Sequence, residues 1–157
     1  MYATGYKQEL WHDVKHLEEY SREHPEPNRI LWRQVTFIVS IKNNIPAISW
    51  LSNNRDEGFS VATMNYAAYY GKLKMVKWLH YNRTESGDSF AMQFAIERKH
   101  FDVAKFLYEN VPSCLDETLF NLAKAINSMD EDNRKWFTER ETRKLLLGQW
   151  KKFETVK

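Results

Sequence analysis

Cysteine is nearly absent from this chain of 157 residues, in which Cys114 stands alone. One sulfur forms no intramolecular disulfide and no thiolate-based zinc site. That usage fits a reducing compartment, cytoplasmic or nuclear. Glycine and proline are scarce as well, at 5 and 4 residues. A sandwich or barrel of many short strands needs more turn punctuation than that, so the composition tilts toward helices. No apolar run reaches the length of a membrane span, and no basic stretch followed by an apolar one opens the sequence. If the protein is exported, its leader is expected to lie outside this sequence. Neither sign of charge dominates: 23 basic and 21 acidic residues leave a formal +2. Taken as a whole, that balance predicts neither a nucleic-acid binder nor an acidic chaperone.

What the chain does have is apolar mass. Hydrophobic residues make up 43% and aromatic ones 15%, too much for a disordered chain. The length suits one domain with a continuous core.

A shift of 28 residues brings three segments into register. Trp50, Trp78 and Phe106 align, followed by Leu51, Leu79 and Leu107, then Asn54, Asn82 and Asn110. Ahead of the aromatics lie Ile45, Leu73 and Phe101, then Ile48, Val76 and Ala104. Met64, Met92 and Phe120 also align, as do Tyr66, Phe94 and Leu122, and Ala67, Ala95 and Ala123. Arg55 recurs as Arg83, and Glu57 as Glu85. Self-similarity at one period is the signature of a repeat architecture.

Within a unit the spacing is helical. Leu73, Val76, Trp78 and Leu79 form one apolar stripe, with Lys72, Lys74 and Lys77 expected to face away. The shorter segment from Thr63 to Tyr70 carries Ala67 and Ala68, small enough for two helices to approach closely. Gly71 falls between the two segments, where a helix C-cap with positive φ is wanted. Each unit is therefore expected to be a pair of antiparallel helices, too small to bury its own face and completed by stacking.

The segment MNYAAYYGKLKMVKWLHYN, Met64 to Asn82, resembles the core pattern of ankyrin repeats. Met64, Ala67, Ala68, Gly71, Leu73, Met75, Val76, Trp78 and Leu79 stand at its positions. Met92 to Asn110 follows it with Ile96 for the second alanine and Lys99 for the glycine. Thr36 to Asn54 is more degenerate, with Val39 and Ser40 for the alanines and Asn43 for the glycine. The period and the VKWLHYNRTE stretch look like the divergent ankyrin arrays common in oomycete and other protist proteins. The resemblance covers residues 36–127. Ala62, Thr63, Met64 and Asn65 replace the family's T-P-L-H signature, which bears on the finger geometry. The resemblance implies an all-α helical solenoid of three to four repeats that recognises another protein, with no catalysis and no cofactor.

Flanking segments are expected to cap the array, residues 1–35 at one end and 128–157 at the other. Residues 6–22 form a candidate helix with Leu10, Val14 and Leu17 on one face, ended by Pro25 and Pro27. A second helix is expected from about Ile30 into the first repeat. Asp130, Glu131 and Asp132 suit the N-terminus of a final helix. From Arg134 onward, eight basic side chains face three acidic ones. Trp136, Phe137, Leu146, Leu147 and Trp150 are expected to pack inward.

Candidate sites divide between chemistry and recognition. His12, Asp13 and His16 have the spacing of the zincin motif, with an Asp one methylene short of the usual Glu and no evident third ligand. Two histidines on an amphipathic helix are the simpler reading. Asn82, Arg83 and Thr84 form a glycosylation sequon, but the Asn and Arg recur as Asn54 and Arg55, which assigns them to the repeat turn. Cys114 has no histidine beside it, and no phosphate-cradling glycine loop is present. The turns holding Arg55, and Arg83 with Glu85, are expected on one edge, either bonded as a ladder between Arg83 and Glu57 or free for a partner. Asn65, Tyr69 and Tyr70, then Gln93, Glu97 and Arg98, occupy first-helix positions expected to point to the concave face. Tyr69 and Tyr70 suit an interface, since large amphipathic rings dominate hot spots, although one of them also suits the core.

Three functions follow as expectations. The leading one is a module binding a partner protein on the concave face, with a pathogen effector acting on a host protein as a special case. An alternative is a nucleic-acid or acidic-surface binder through the basic C-terminal segment, against which Glu139 and Glu141 speak. A metal-dependent hydrolase through His12 and His16 is a further alternative.

Overall fold

The structure, a computed structural model, describes residues 13–114 and 129–140. Asp13 opens the first helix, α1 (Val14–Glu23), its carboxylate accepting from the Lys15 amide. Pro25 and Pro27 follow, and Asn28 caps α2 (Arg29–Ile41) through the Leu31 amide. Asn44 does the same for α3 (Ile45–Asn54), which tolerates Pro46 because its first amides need no helical partner. Ser60 and Thr63 form a reciprocal capping box at the head of α4 (Val61–Tyr69). There follow α5 (Leu73–Asn82), α6 (Ser89–Glu97) capped by Asp88, and α7 (Phe101–Asn110). A last helix covers 131–140. No strand occurs among the described residues.

The period is built into these bounds. α3, α5 and α7 start and stop 28 residues apart, and so do α4 and α6. α2, α4 and α6 pack side by side as one layer, and α1, α3, α5 and α7 form the second. α2 runs unbroken through the boundary expected between residues 35 and 36, so the stretch before it supplies the opening turns of the first unit. Leu51, Leu79 and Leu107 are buried at one register of the second layer, beside partly buried Trp50 and Trp78 and buried Phe106. Alanines at 67, 68, 91 and 95 are fully buried, as close helix contact requires. The 131–140 helix packs on α7 through Trp136 and buried Phe137, both against the Tyr108 ring. Leu10, Phe120, Leu122, Ala123, Leu146, Leu147 and Trp150 lie outside the described residues.

The joint inside each unit is the same three times. Asn43, Gly71 and Lys99 have φ of 58°, 65° and 61°, the left-handed conformation expected at Gly71. Amides of the following residues close six-residue loops, Asn44 to the Val39 oxygen, Lys72 to Ala67 and His100 to Ala95. This is the Schellman ending of a helix. The joint between units differs. There a short 3-10 turn, Asp56–Gly58, lies against α2, and a Cβ on Gly58 would stand 2.5 Å from the Trp32 oxygen.

Candidate partner-binding surface

The first-helix layer carries an aromatic face. Tyr66, Tyr69 and Tyr70 fall three and four residues apart, which places them on one side of α4 and its cap. Phe37 of α2 meets Tyr66 edge-on at 4.7 Å between ring centroids. On the other side Tyr69 meets Phe94 of α6 at 5.4 Å, and Phe94 meets Phe90 at 5.9 Å. The Arg98 guanidinium sits 4.1 Å from the Tyr69 ring centre, an attractive cation–π geometry. Tyr66, Tyr70 and Phe90 keep 43%, 44% and 53% of their surface exposed. Ile30 and Val61 are also exposed on α2 and α4.

The residues expected to bind a partner separate into two groups. Tyr69 is half-buried under Arg98, whereas Tyr70 is exposed, which distinguishes the two tyrosines. Glu97 and Arg98 are exposed, and Gln93 donates to the Glu97 carboxylate at 2.7 Å. Asn65, expected to point outward, is instead 8% exposed. Its amide nitrogen donates to the Asp88 carboxylate at 2.8 Å, which ties α4 to the head of α6.

Arg55, Arg83 and Glu85 are engaged within the array. Arg55 donates to Ser21 Oγ and to the carbonyls of Ser21, His24 and Pro25, all within 3.0 Å. Its guanidinium stacks 4.8 Å from the Trp32 ring. Arg83 donates to Ser52 Oγ at 3.1 Å and to both oxygens of Glu85, and stacks 4.2 Å from Phe59. The expected Arg83 to Glu57 ladder gives way to pairs within each turn, Arg83 with Glu85 at 2.8 Å and Arg55 with Glu57 at 3.5 Å. The tight turn brings residues two apart together, and the guanidinium spends its other donors on the preceding unit. The hydrogen bonds from Arg83 hold the Glu85 carboxyl below its ordinary range. Asn54, Asn82 and Asn110 are the last helical residues, and each side-chain amide donates to the carbonyl four residues earlier.

Tyr66, Phe90, Val61 and Ile30 were not among the candidates. Tyr66 and Phe94 recur at 28 residues, and recurrence alone does not set their exposure. A signal was available in the four-residue spacing of Tyr66 with Tyr70 and of Phe90 with Phe94, which lines rings along one helix side.

Burial, and secondarily the nearby Asp88 charge, pushes the Cys114 thiol up to about 12, far from a reactive thiolate. His16 is exposed on α1 and Asp13 serves as the cap of that helix, while His12 lies outside the described residues. Among the described residues no three metal-ligating side chains gather. In the basic C-terminal segment, Arg140 pairs with Glu109 at 3.0 Å and stacks on Trp136, and Arg134 donates to the Met129 carbonyl. Asp130 accepts from the Asn133 amide, as expected at a helix head, and those bonds lower its pKa. Among the described residues no helix is long and apolar enough to cross a membrane.

No curated protein and no solved structure matches the chain. Residues 64–108, from the middle of α4 into α7, match the family model described as ankyrin repeats (many copies). Such repeats are modules of protein–protein interaction. Set in helix pairs of constant period, residues 64–108 are thus ankyrin repeats.

Proposed function

We propose that the chain binds a partner protein on the face formed by α2, α4 and α6, the concave face of an ankyrin array. One observation carries this reading. Of the six exposed large apolar side chains among the described residues, Ile30, Val61, Tyr66, Tyr70 and Phe90 lie on this layer and Tyr81 alone on the other. Soluble monomers rarely gather exposed apolar side chains on one side without a use for them. Tyrosine in particular combines apolar area with a hydrogen-bonding tip and orders at small entropic cost.

Photo-crosslinking in the source cells tests the reading. A benzophenone amino acid is placed at Tyr70, at Phe90 or, on the opposite layer, at Tyr81. Discrete protein adducts are expected from positions 70 and 90 and none from 81. Adducts from 81 alone would move the binding surface to the second layer.

A further inference from the structure

The charges beside the aromatic face are sorted by edge. Lys72 and Lys74 follow Tyr70, and Arg98 and Lys99 close α6. The two loops lie against each other, because a Cβ on Gly71 would stand 2.5 Å from Nδ1 of His100. Four cations thus share one edge. Among the described residues none of them is in an ion pair. The acids of the same stretch are Glu97, which accepts from Gln93, and Asp102, which accepts from the Val103 amide at 2.8 Å. On the opposite edge Arg55 and Arg83 are matched by Glu57 and Glu85, which leaves Asp56 and Asp88 in excess. The sign of charge therefore changes across the aromatic face.

We infer that this face takes an acidic, apolar peptide segment of the partner, its large side chains on Tyr66, Tyr70 and Phe90 and its carboxylates toward Lys72, Lys74, Arg98 and Lys99. Unpaired charge at the rim of an apolar patch steers and orients a complementary partner. A nucleic acid fits less well, because its phosphates need a continuous cationic track and here they meet Glu97 and the acidic opposite edge. The inference rests on the first-helix layer being the binding face.

A random peptide library displayed on phage and panned on the full chain provides the test. Recovered sequences are expected to combine Leu, Phe, Trp or Tyr with Asp and Glu, the acids enriched several-fold over the input. Panning on the variant K72E/K74E/R98E/K99E is expected to invert that preference toward Lys and Arg. Should that variant melt before panning, K72Q/K74Q/R98Q/K99Q replaces it, and the acid enrichment is expected to vanish. Apolar peptides without acid enrichment would overturn the charge argument while leaving the face intact, provided Y70A and F90A still abolish their binding. Peptides indifferent to Y70A and F90A would overturn the face itself. Binding of single-stranded DNA or anionic vesicles that depends on the four cations, with no peptide recovered, would also overturn the inference.

Discussion

The two edges of the array solve the same problem, reversing the chain, in opposite ways. Where a second helix hands over to the next unit, the side chain is constant and does the joining: Arg55 and Arg83 stand one period apart, and each bonds the unit before it. Where a first helix turns into its second, the backbone is constant while the residue changes: Asn43, Gly71 and Lys99 share a left-handed φ. A recurring polar residue therefore marks construction, and a recurring conformation with changing residues marks surface open to other uses. The second edge is the one with unpaired cations.

The sharpest way to break this comparison is at Arg55. Its donors meet three carbonyls and one hydroxyl of α1 and the segment after it. Arg55→Ala strips those acceptors at once, so a loss of about 3 kcal/mol is expected in urea unfolding. Arg83→Ala loses a bond to Ser52, a bidentate pair that is partly exposed, and the contact with Phe59. It is expected to cost less, about 1.5 kcal/mol. Equal losses would mean that the two turns are equivalent despite their different partners. Arg55→Lys is expected to recover little, because an ammonium cannot reproduce the fork that reaches several carbonyls.

On the other edge the largest effect belongs to Gly71→Ala. A left-handed φ costs a residue with a Cβ about 1–2 kcal/mol, and here that Cβ also enters the space of the His100 ring. A destabilisation of about 2–3 kcal/mol is expected from the two together. Adding His100→Ala separates them. The double variant is expected to recover the steric part relative to Gly71→Ala and retain the conformational part, which thermal melts of both proteins would show.

How much of this was legible in the sequence follows the same division. The helix pairs, the period and the role of Gly71 were readable, because apolar spacing and a required backbone conformation leave marks in single residues. The recurrence of Asn54 and Asn82 was readable, but the C-cap role expected for them falls to Arg55 and Arg83, because each helix runs one residue further and includes the Asn. Other contacts were hidden because they join residues distant in sequence. Nothing near Asn65 announces that Asp88, 23 residues on, will hold it. The reach of Arg83 to Ser52 across units is invisible beside the nearer Glu85. The exposure of Tyr66 was hidden for a different reason. The ring's recurrence as Phe94 marks a first-helix position that is half covered by the preceding helix, Tyr66 by Phe37 and Phe94 by Tyr69, and a period alone does not tell which half a ring shows.

Lys99 brings stability and recognition into conflict, and a single substitution there sharpens the contrast between the edges. Lys99 holds φ at 61° without a side-chain reason. Lys99→Gly relieves about 1–2 kcal/mol of that cost, while the freer unfolded chain returns about 0.5–1 kcal/mol, so a net gain of about 0.5 kcal/mol is expected. Asn43→Gly is not its equivalent. The Asn43 side chain accepts from the Met75 amide at 3.1 Å and so caps α5 from the neighbouring unit. Losing that cap costs about 1 kcal/mol and outweighs the relief, since asparagine tolerates the left-handed region better than lysine. The two glycine variants are therefore expected to shift the melting temperature in opposite directions, Lys99→Gly upward and Asn43→Gly downward. Lys99→Gly also removes one of the four edge cations. A variant more stable than the wild type that nevertheless binds an acidic peptide more weakly would show the strained lysine retained for its charge.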